Sequence, residues 1–269
     1  VKIEHRALSL SVAAFLSGIF LFAGAGSPGA QQNSTQSGDA QTTWTAPSSD
    51  TIPDGPLGDS IRLGLQIFND TPKYASRYVG NKMSCGHCHL KGGTVPYAIP
   101  VVGVPGMFPM YRDREKTVVT FEERIEQCFQ RSENGHRVPN NSREMAGLVA
   151  YAQWLSQGQV TGRPFPGRGL AKLPELSGDV NRGGQVYAQQ CVVCHGPEGA
   201  GQPPAIPALW GHDAFSDGAG MNEVAKMAAF VQRNMPQSNP GSLMAQQAYD
   251  VAAYVHSKPH VRFDMKEHQ

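Results

Sequence analysis

The chain of 269 residues has five cysteines, and four of them fall into two copies of one pattern. Cys85-Gly86-His87-Cys88-His89 and Cys191-Val192-Val193-Cys194-His195 each place a histidine directly after a Cys-x-x-Cys pair. At this spacing two thiols can add to the two vinyl groups of one haem, and the adjacent histidine is then held under the iron as its proximal ligand. The pattern therefore predicts two covalently bound haem c groups, attached at Cys85 and Cys88 and at Cys191 and Cys194, with His89 and His195 on the metals. A zinc or thiol-redox site would not need the histidine beside the second cysteine in both copies.

What each haem does depends on the residue opposite its histidine. For the second, the candidates are Met221, Met227, Met235 and Met244. Met221 and Met235 fall in or beside predicted loops, Met227 inside a predicted helix and Met244 at the start of another. Met235 is chosen, because it precedes Pro236 at a helix end just before the last helix; a neutral thioether raises the potential and suits an electron relay. For the first haem, Met107 and Met110 lie in the loop after the motif, and Cys128 is the fifth thiol. Arg124 stands one helical turn before Cys128 and Ser132 one turn after it, if the helix continues that far. A neighbouring cation stabilises thiolate, the form that binds iron or acts as a nucleophile. Cys128 is thus read as a ligand or catalytic group, against a buried structural thiol or methionine ligation.

The elements that must position these residues are mainly helical. Ile61, Leu65 and Phe68 repeat at helical spacing and predict a helix over 59–69, capped by Asp59 or Ser60. Phe121, Ile125, Cys128 and Phe129 share one face of a second, over 120–129. Ser142 caps a third, whose stripe is Met145, Leu148, Tyr151, Ala152 and Leu155. Helices over 179–190, 222–233 and 242–257 repeat the plan around the second motif, with Gly/Pro loops after each motif and no convincing alternating run. The fold class is mainly α, two tandem class I cytochrome c-like domains: 54–157 with the active-site haem, 178–269 with the electron-transfer haem, and a Gly/Pro-rich linker over 158–177.

Before these, Lys2 and Arg6, the apolar run from Ala7 to Phe22 and the small residues Ala23-Gly24-Ala25 predict an export signal over 1–25, with a second possible cut after Ala30. The apolar run is short and interrupted for a membrane span, so no stable membrane insertion is expected. Residues 26–53 are Gln, Ser, Thr, Asp and Pro with little apolar content and predict a flexible arm. Periplasmic export agrees with the motifs, since covalent haem attachment of this kind takes place outside the bacterial cytoplasm. The formal net charge is +1 and 17% of residues are charged, which excludes a nucleic-acid partner and leaves an anionic substrate to a local cluster of basic side chains.

The segment Glu123-Arg124-Ile125-Glu126-Gln127-Cys128-Phe129-Gln130-Arg131-Ser132-Glu133-Asn134-Gly135, set between two haem motifs and preceded by Arg114, resembles the active-site segment of dihaem thiosulfate dehydrogenases, the tetrathionate-forming cytochromes. The resemblance runs from about Pro56 to Pro259. It implies His89/Cys128 ligation at the first haem, a site lined by Arg114, Arg124 and Ser132, and His195/Met235 ligation at the second. Some members carry a lysine before that methionine that can itself bind iron; Asn234 stands here instead. The implied reaction joins two thiosulfate dianions into tetrathionate, with Arg131 or Lys116 assisting, and passes electrons to an external acceptor such as another cytochrome c or a high-potential iron–sulfur protein. The rivals are a non-catalytic dihaem electron carrier and a sulfur-carrier cytochrome.

Overall fold

The computed structural model describes residues 44–268. The signal expected at 1–25 and the arm as far as residue 43 lie outside the described residues. From Trp44 onward the chain forms one compact unit, built from two helical halves that repeat a plan.

The first half contains α1 (Pro56–Asn69), the short α2 (Thr71–Tyr74), the first motif, the single turn α3 (Leu90–Gly93), α4 (Phe121–Arg131) and α5 (Arg143–Leu155). The second contains α6 (Val180–Gln190), the turn α7 (Val192–His195) at the second motif, α8 (Val224–Asn234) and α9 (Ala245–His256). Local chemistry explains the starts. Thr120 accepts the Glu123 N–H at 3.2 Å while the Glu123 carboxylate accepts the Thr120 N–H at 2.7 Å, a reciprocal box that opens α4. Ser142 Oγ accepts the Met145 N–H at 3.1 Å at the start of α5, and Asp179 Oδ1 accepts the Arg182 N–H at 2.8 Å at the start of α6.

In both halves the first and last helices cross on a glycine. A Cβ on Gly64 of α1 would stand 2.0 Å from the Gly147 carbonyl oxygen and 2.7 Å from Tyr151 Cβ. One on Gly183 of α6 would stand 2.0 Å from the Asp250 carbonyl oxygen and 2.8 Å from Tyr254 Cβ. Only a missing side chain lets these backbones approach so closely. Ile61, Ile67, Phe68, Phe129, Leu148 and Tyr151 then fill the first core. Met227, Ala228, Ala248, Tyr249 and Ala252 fill the second, and Met83 of the first half is buried among them.

Three sequence expectations need correction. The first helix starts at Pro56, and Gly55, whose φ is +84°, stands at its N-cap without a side-chain bond. Asp59 and Ser60 lie within the helix, where Ser60 donates back to the Pro56 carbonyl at 3.0 Å; proline at the first helical position sets the start instead. The last helix starts at Ala245, because Met244, at φ −65° and ψ 153°, is extended and 242–243 are non-helical. The stretch before α4 holds an antiparallel hairpin, β1 (Met110–Arg112) with β2 (Thr117–Val119), Met110 opposite Val119. Three residues a side are too few to show alternation.

Residues 158–177 lie against the first half. Gly167 O accepts the Tyr97 N–H at 2.6 Å and Gly169 O the Ile99 N–H at 3.0 Å. Within 44–53, the Trp44 ring meets Phe165 edge-on at 5.2 Å and Ile52 is buried.

Candidate functional site

A cavity of about 290 Å³ lies between the first motif and α4. Its wall is largely apolar, supplied by Phe68, Ile99, Val101, Phe121, Phe129 and Leu148, and into it face Cys85, His89 and Cys128. The sequence joins its two sides through the segment before the motif. Gly80 N–H donates to the Glu133 carbonyl at 2.8 Å, His136 N–H to the Tyr78 carbonyl at 3.0 Å, and the Asn81 amide to the Ser132 carbonyl at 3.0 Å. Residues 78–81 are thereby stitched to the end of α4, so the motif and Cys128 are held in one frame.

The His89 Nδ1–H donates to the Ile99 carbonyl, which leaves the Nε2 lone pair free. Burial pulls this imidazole down to about 4, the backbone acceptor opposing; the ring is therefore neutral, as an iron ligand must be. In the second half His195 Nδ1–H donates to the Pro207 carbonyl at 3.1 Å, the same tether from the loop after the motif. Such a contact fixes the ring orientation of a ligating histidine. Burial also pushes the Cys85 thiol well up and the Cys88 thiol to about 12. Neither is a thiolate at neutral pH, and conversion to a thioether removes the ionisable group altogether. Among the described residues no three His, Cys, Asp or Glu side chains converge as a metal-ion site needs. An apolar slot, a neutral histidine with an oriented free nitrogen and two half-buried thiols fit a haem held by Cys85, Cys88 and His89.

Cys128 stands on the α4 wall of the same cavity, and the Arg124 guanidinium donates to its sulfur at 3.0 Å. The pairing holds Arg124 above its ordinary value, Cys128 first among the causes. Met107 sits in a 3-10 turn and Met110 in β1, and neither lines the cavity. Arg114, in the hairpin turn, donates through Nη2 to the Gly218 carbonyl at 3.0 Å and stands outside the cavity wall. Ser132 caps the C-terminus of α4, its N–H on the Cys128 carbonyl at 2.8 Å, also outside that wall. In the second half Met227 is buried in the core and Met244 is exposed. Met221 lies in a 3-10 turn against the core, and Met235, half-buried, ends α8.

Sequence reasoning missed Arg112 and Arg168, which also line the cavity. It missed Glu133 too, a buried carboxyl that burial and then the Cys128 charge push up to about 8. Arg168 lies in a linker and Arg112 in a three-residue strand, so no periodicity flagged them. Glu133 directly follows Ser132, and its burial depends on a chain reversal that helical spacing does not encode.

The first half matches the family "SoxA/TsdA, cytochrome c domain" over residues 73–160. The second matches "Cytochrome C oxidase, cbb3-type, subunit III" over 178–255. The fold is thus two tandem cytochrome c domains, the fold class expected from the sequence. The chain is 40% identical over 226 residues to the thiosulfate dehydrogenase of Stutzerimonas stutzeri, covering 82% of this chain and 74% of that protein. It is 38% identical over 229 residues to the thiosulfate dehydrogenase of Allochromatium vinosum, covering 81% and 85%. Among solved structures it is similar to the thiosulfate dehydrogenase TsdBA from Marichromatium purpuratum in its "as isolated" form, with a TM-score of 0.76 and 36% identity over 81% of this chain; it spans 50% of that chain's length.

Proposed function

We propose a course of reaction from one premise: this chain belongs to the thiosulfate dehydrogenase family. It is an oxidoreductase acting on thiosulfate, and tetrathionate is the product. The observation that carries the reading is a thiol and a neutral histidine facing one apolar cavity, with a guanidinium 3.0 Å from the thiol sulfur.

Two dianions must meet, and each pair of unit charges 4 Å apart in water costs about 1 kcal/mol. Arg124, with Arg112 and Arg168 on the same wall, offsets that repulsion; planar guanidinium forks suit sulfonate oxygens as they suit carboxylates. Arg124 also donates to the Cys128 sulfur at 3.0 Å. The Cys128 sulfur forms a bond to the outer sulfur of one thiosulfate, giving a cysteine S-thiosulfonate and releasing two electrons. A second thiosulfate attacks the sulfur next to Cys128; the cysteine leaves as thiolate and tetrathionate departs. Cys85, Cys88 and His89 would hold one haem and Cys191, Cys194, His195 and Met235 a second; when bound, the two would supply one-electron acceptance and delivery to an external acceptor. The apolar wall excludes water that would hydrolyse the S–S bond. Because haem attachment of this kind belongs to the periplasm, so does the protein.

The test is a ferricyanide-coupled thiosulfate assay on haem-loaded protein, with mass analysis of the Cys128 peptide after thiosulfate addition. The expected outcome is turnover, a mass gain of one thiosulfate unit on that peptide, and loss of both in Cys128→Ala. Full turnover in Cys128→Ala would exclude the covalent step. No thiosulfate oxidation at all would leave a plain electron carrier.

A further inference from the structure

Each histidine that ends a motif is tethered by a carbonyl of the loop after it, His89 by Ile99 and His195 by Pro207. Each tether loop is held in turn by a side chain of the opposite half. The Asn234 amide, at the end of α8, donates to the Tyr97 carbonyl at 3.2 Å, two residues before Ile99. The His87 Nε2–H, inside the first motif, donates to the Pro204 carbonyl at 2.8 Å, three residues before Pro207. The pattern is reciprocal: the first half grips the loop that orients His195, and the second grips the loop that orients His89.

Both gripping side chains are themselves fixed. Asn234 is buried, and its amide also donates to the Phe230 carbonyl at 2.9 Å, one turn back in α8. The Ser84 N–H donates to His87 Nδ1 at 3.0 Å, so that nitrogen is an acceptor and the ring carries its proton on Nε2, facing Pro204. The loops are stiff enough to carry a displacement from one carbonyl to the next. Tyr97 and Ile99 stand at φ +62° and +50°, the left-handed region that such residues occupy only when their surroundings hold them there. Ala98 between them is buried, and the Arg233 guanidinium lies 5.3 Å from the Tyr97 ring centroid. In the other loop, Gln202 and Ile206 exchange backbone hydrogen bonds at 2.8 and 3.1 Å, and a Cβ on Gly201 would come within 2.3 Å of the Pro207 carbonyl oxygen.

The hydrogen bond on the far nitrogen of a ligating histidine sets its ring orientation and basicity, and through them the potential of the metal it holds. We infer that Asn234 and His87 are positioning residues that work crosswise: Asn234, from the second half, sets the haem site of His89, and His87, from the first half, sets that of His195. Neither redox centre is then defined by its own half alone, and a disturbance at one is felt at the tether of the other. The inference concerns the two cytochrome halves and stands whichever substrate they serve.

The experiment is a spectroelectrochemical titration of the haem-loaded chain, with both attached haems confirmed by mass. His89→Met and His195→Met, each exchanging one axial imidazole, assign the two reduction waves to their halves. Asn234→Leu keeps the bulk and loses the donor; it should move the first-half wave by about threefold in the one-electron equilibrium, about 28 mV at 59 mV per tenfold. Where that variant does not load haem, Asn234→Ser, too short to reach the Tyr97 carbonyl, replaces it and should give the same shift. His87→Phe keeps a ring and loses the donor; it should move the second-half wave by a similar amount. His87→Gln, whose amide puts an N–H close to the place of Nε2, should restore that wave to its wild-type position. Waves that stay in place, or that move only in the half carrying the substitution, overturn the inference, as does a His87→Gln variant that behaves like His87→Phe.

Discussion

Arg124 touches Cys128 because four residues on a helix bring a side chain one turn along the same face, and 3.0 Å between nitrogen and sulfur is a charge-assisted contact. Arg124→Met should lower kcat/KM for thiosulfate by about 10- to 100-fold, the equivalent of the roughly 1.5–3 kcal/mol typical of a hydrogen bond to a charged group. Arg124→Lys should recover part of that, since it keeps the charge and loses the planar fork; steady-state kinetics on the two variants checks both. Glu133 gives a pH signature. Its folded value of about 8 lies above the ordinary 4.5, for reasons of burial and then the Cys128 charge. The folded chain keeps this proton where the unfolded chain has lost it. The stability it contributes is therefore full below about pH 4.5 and is lost as pH rises towards 8. Glu133→Gln, which cannot ionise, should flatten that decline, so its thermal midpoint gains on the wild type between pH 5 and pH 8 in a melting series. A wild-type midpoint with the same pH slope as the variant would count against a buried, proton-holding carboxyl.

At the scale of elements, the two glycine crossings carry the repeat. Gly64→Ala and Gly183→Ala each drive a methyl group to 2.0 Å from a carbonyl oxygen of the partner helix. Relief requires the helices to separate, so each should cost on the order of 1–3 kcal/mol, measurable by denaturant unfolding, with Gly64→Ala also disturbing the first cavity. The long helices were legible in the sequence because their stripes and caps are local: Thr120 with Glu123, Ser142 with Met145 and Asp179 with Arg182 all act within one turn. The cavity's thiol and its cation were legible for the same reason, being one turn apart. Arg112, Arg168 and Glu133 were not, because each owes its place to chain reversals that bring distant segments together. The start of α1 was misread because glycine and proline, not a side-chain acceptor, set it.

At the scale of the whole molecule, the halves share a seam of polar contacts. Asn81 donates to the Ser132 carbonyl at 3.0 Å and to the Ala214 carbonyl at 2.8 Å. Lys82 pairs with Asp213 at 2.8 Å, His87 Nε2–H donates to the Pro204 carbonyl at 2.8 Å, and Asn234 donates to the Tyr97 carbonyl at 3.2 Å. Asn81→Ala strips the side-chain donor from two carbonyls at once and should cost about 2–4 kcal/mol. The loss should appear as one earlier melting transition that takes both halves, followed by circular dichroism; two separated transitions would show that the seam does not couple them. The matched glycine crossings have a further meaning for ancestry. Gly64 facing Tyr151 and Gly183 facing Tyr254 are the same crossing made twice, as a copied helical pair would leave it. The skeleton then constrains only how those helices touch, and it leaves each copy free to differ elsewhere, as the cavity-facing Cys128 of the first half does. A scaffold pinned at two glycines can change its trade through a few positions outside the crossings, without ever being redrawn.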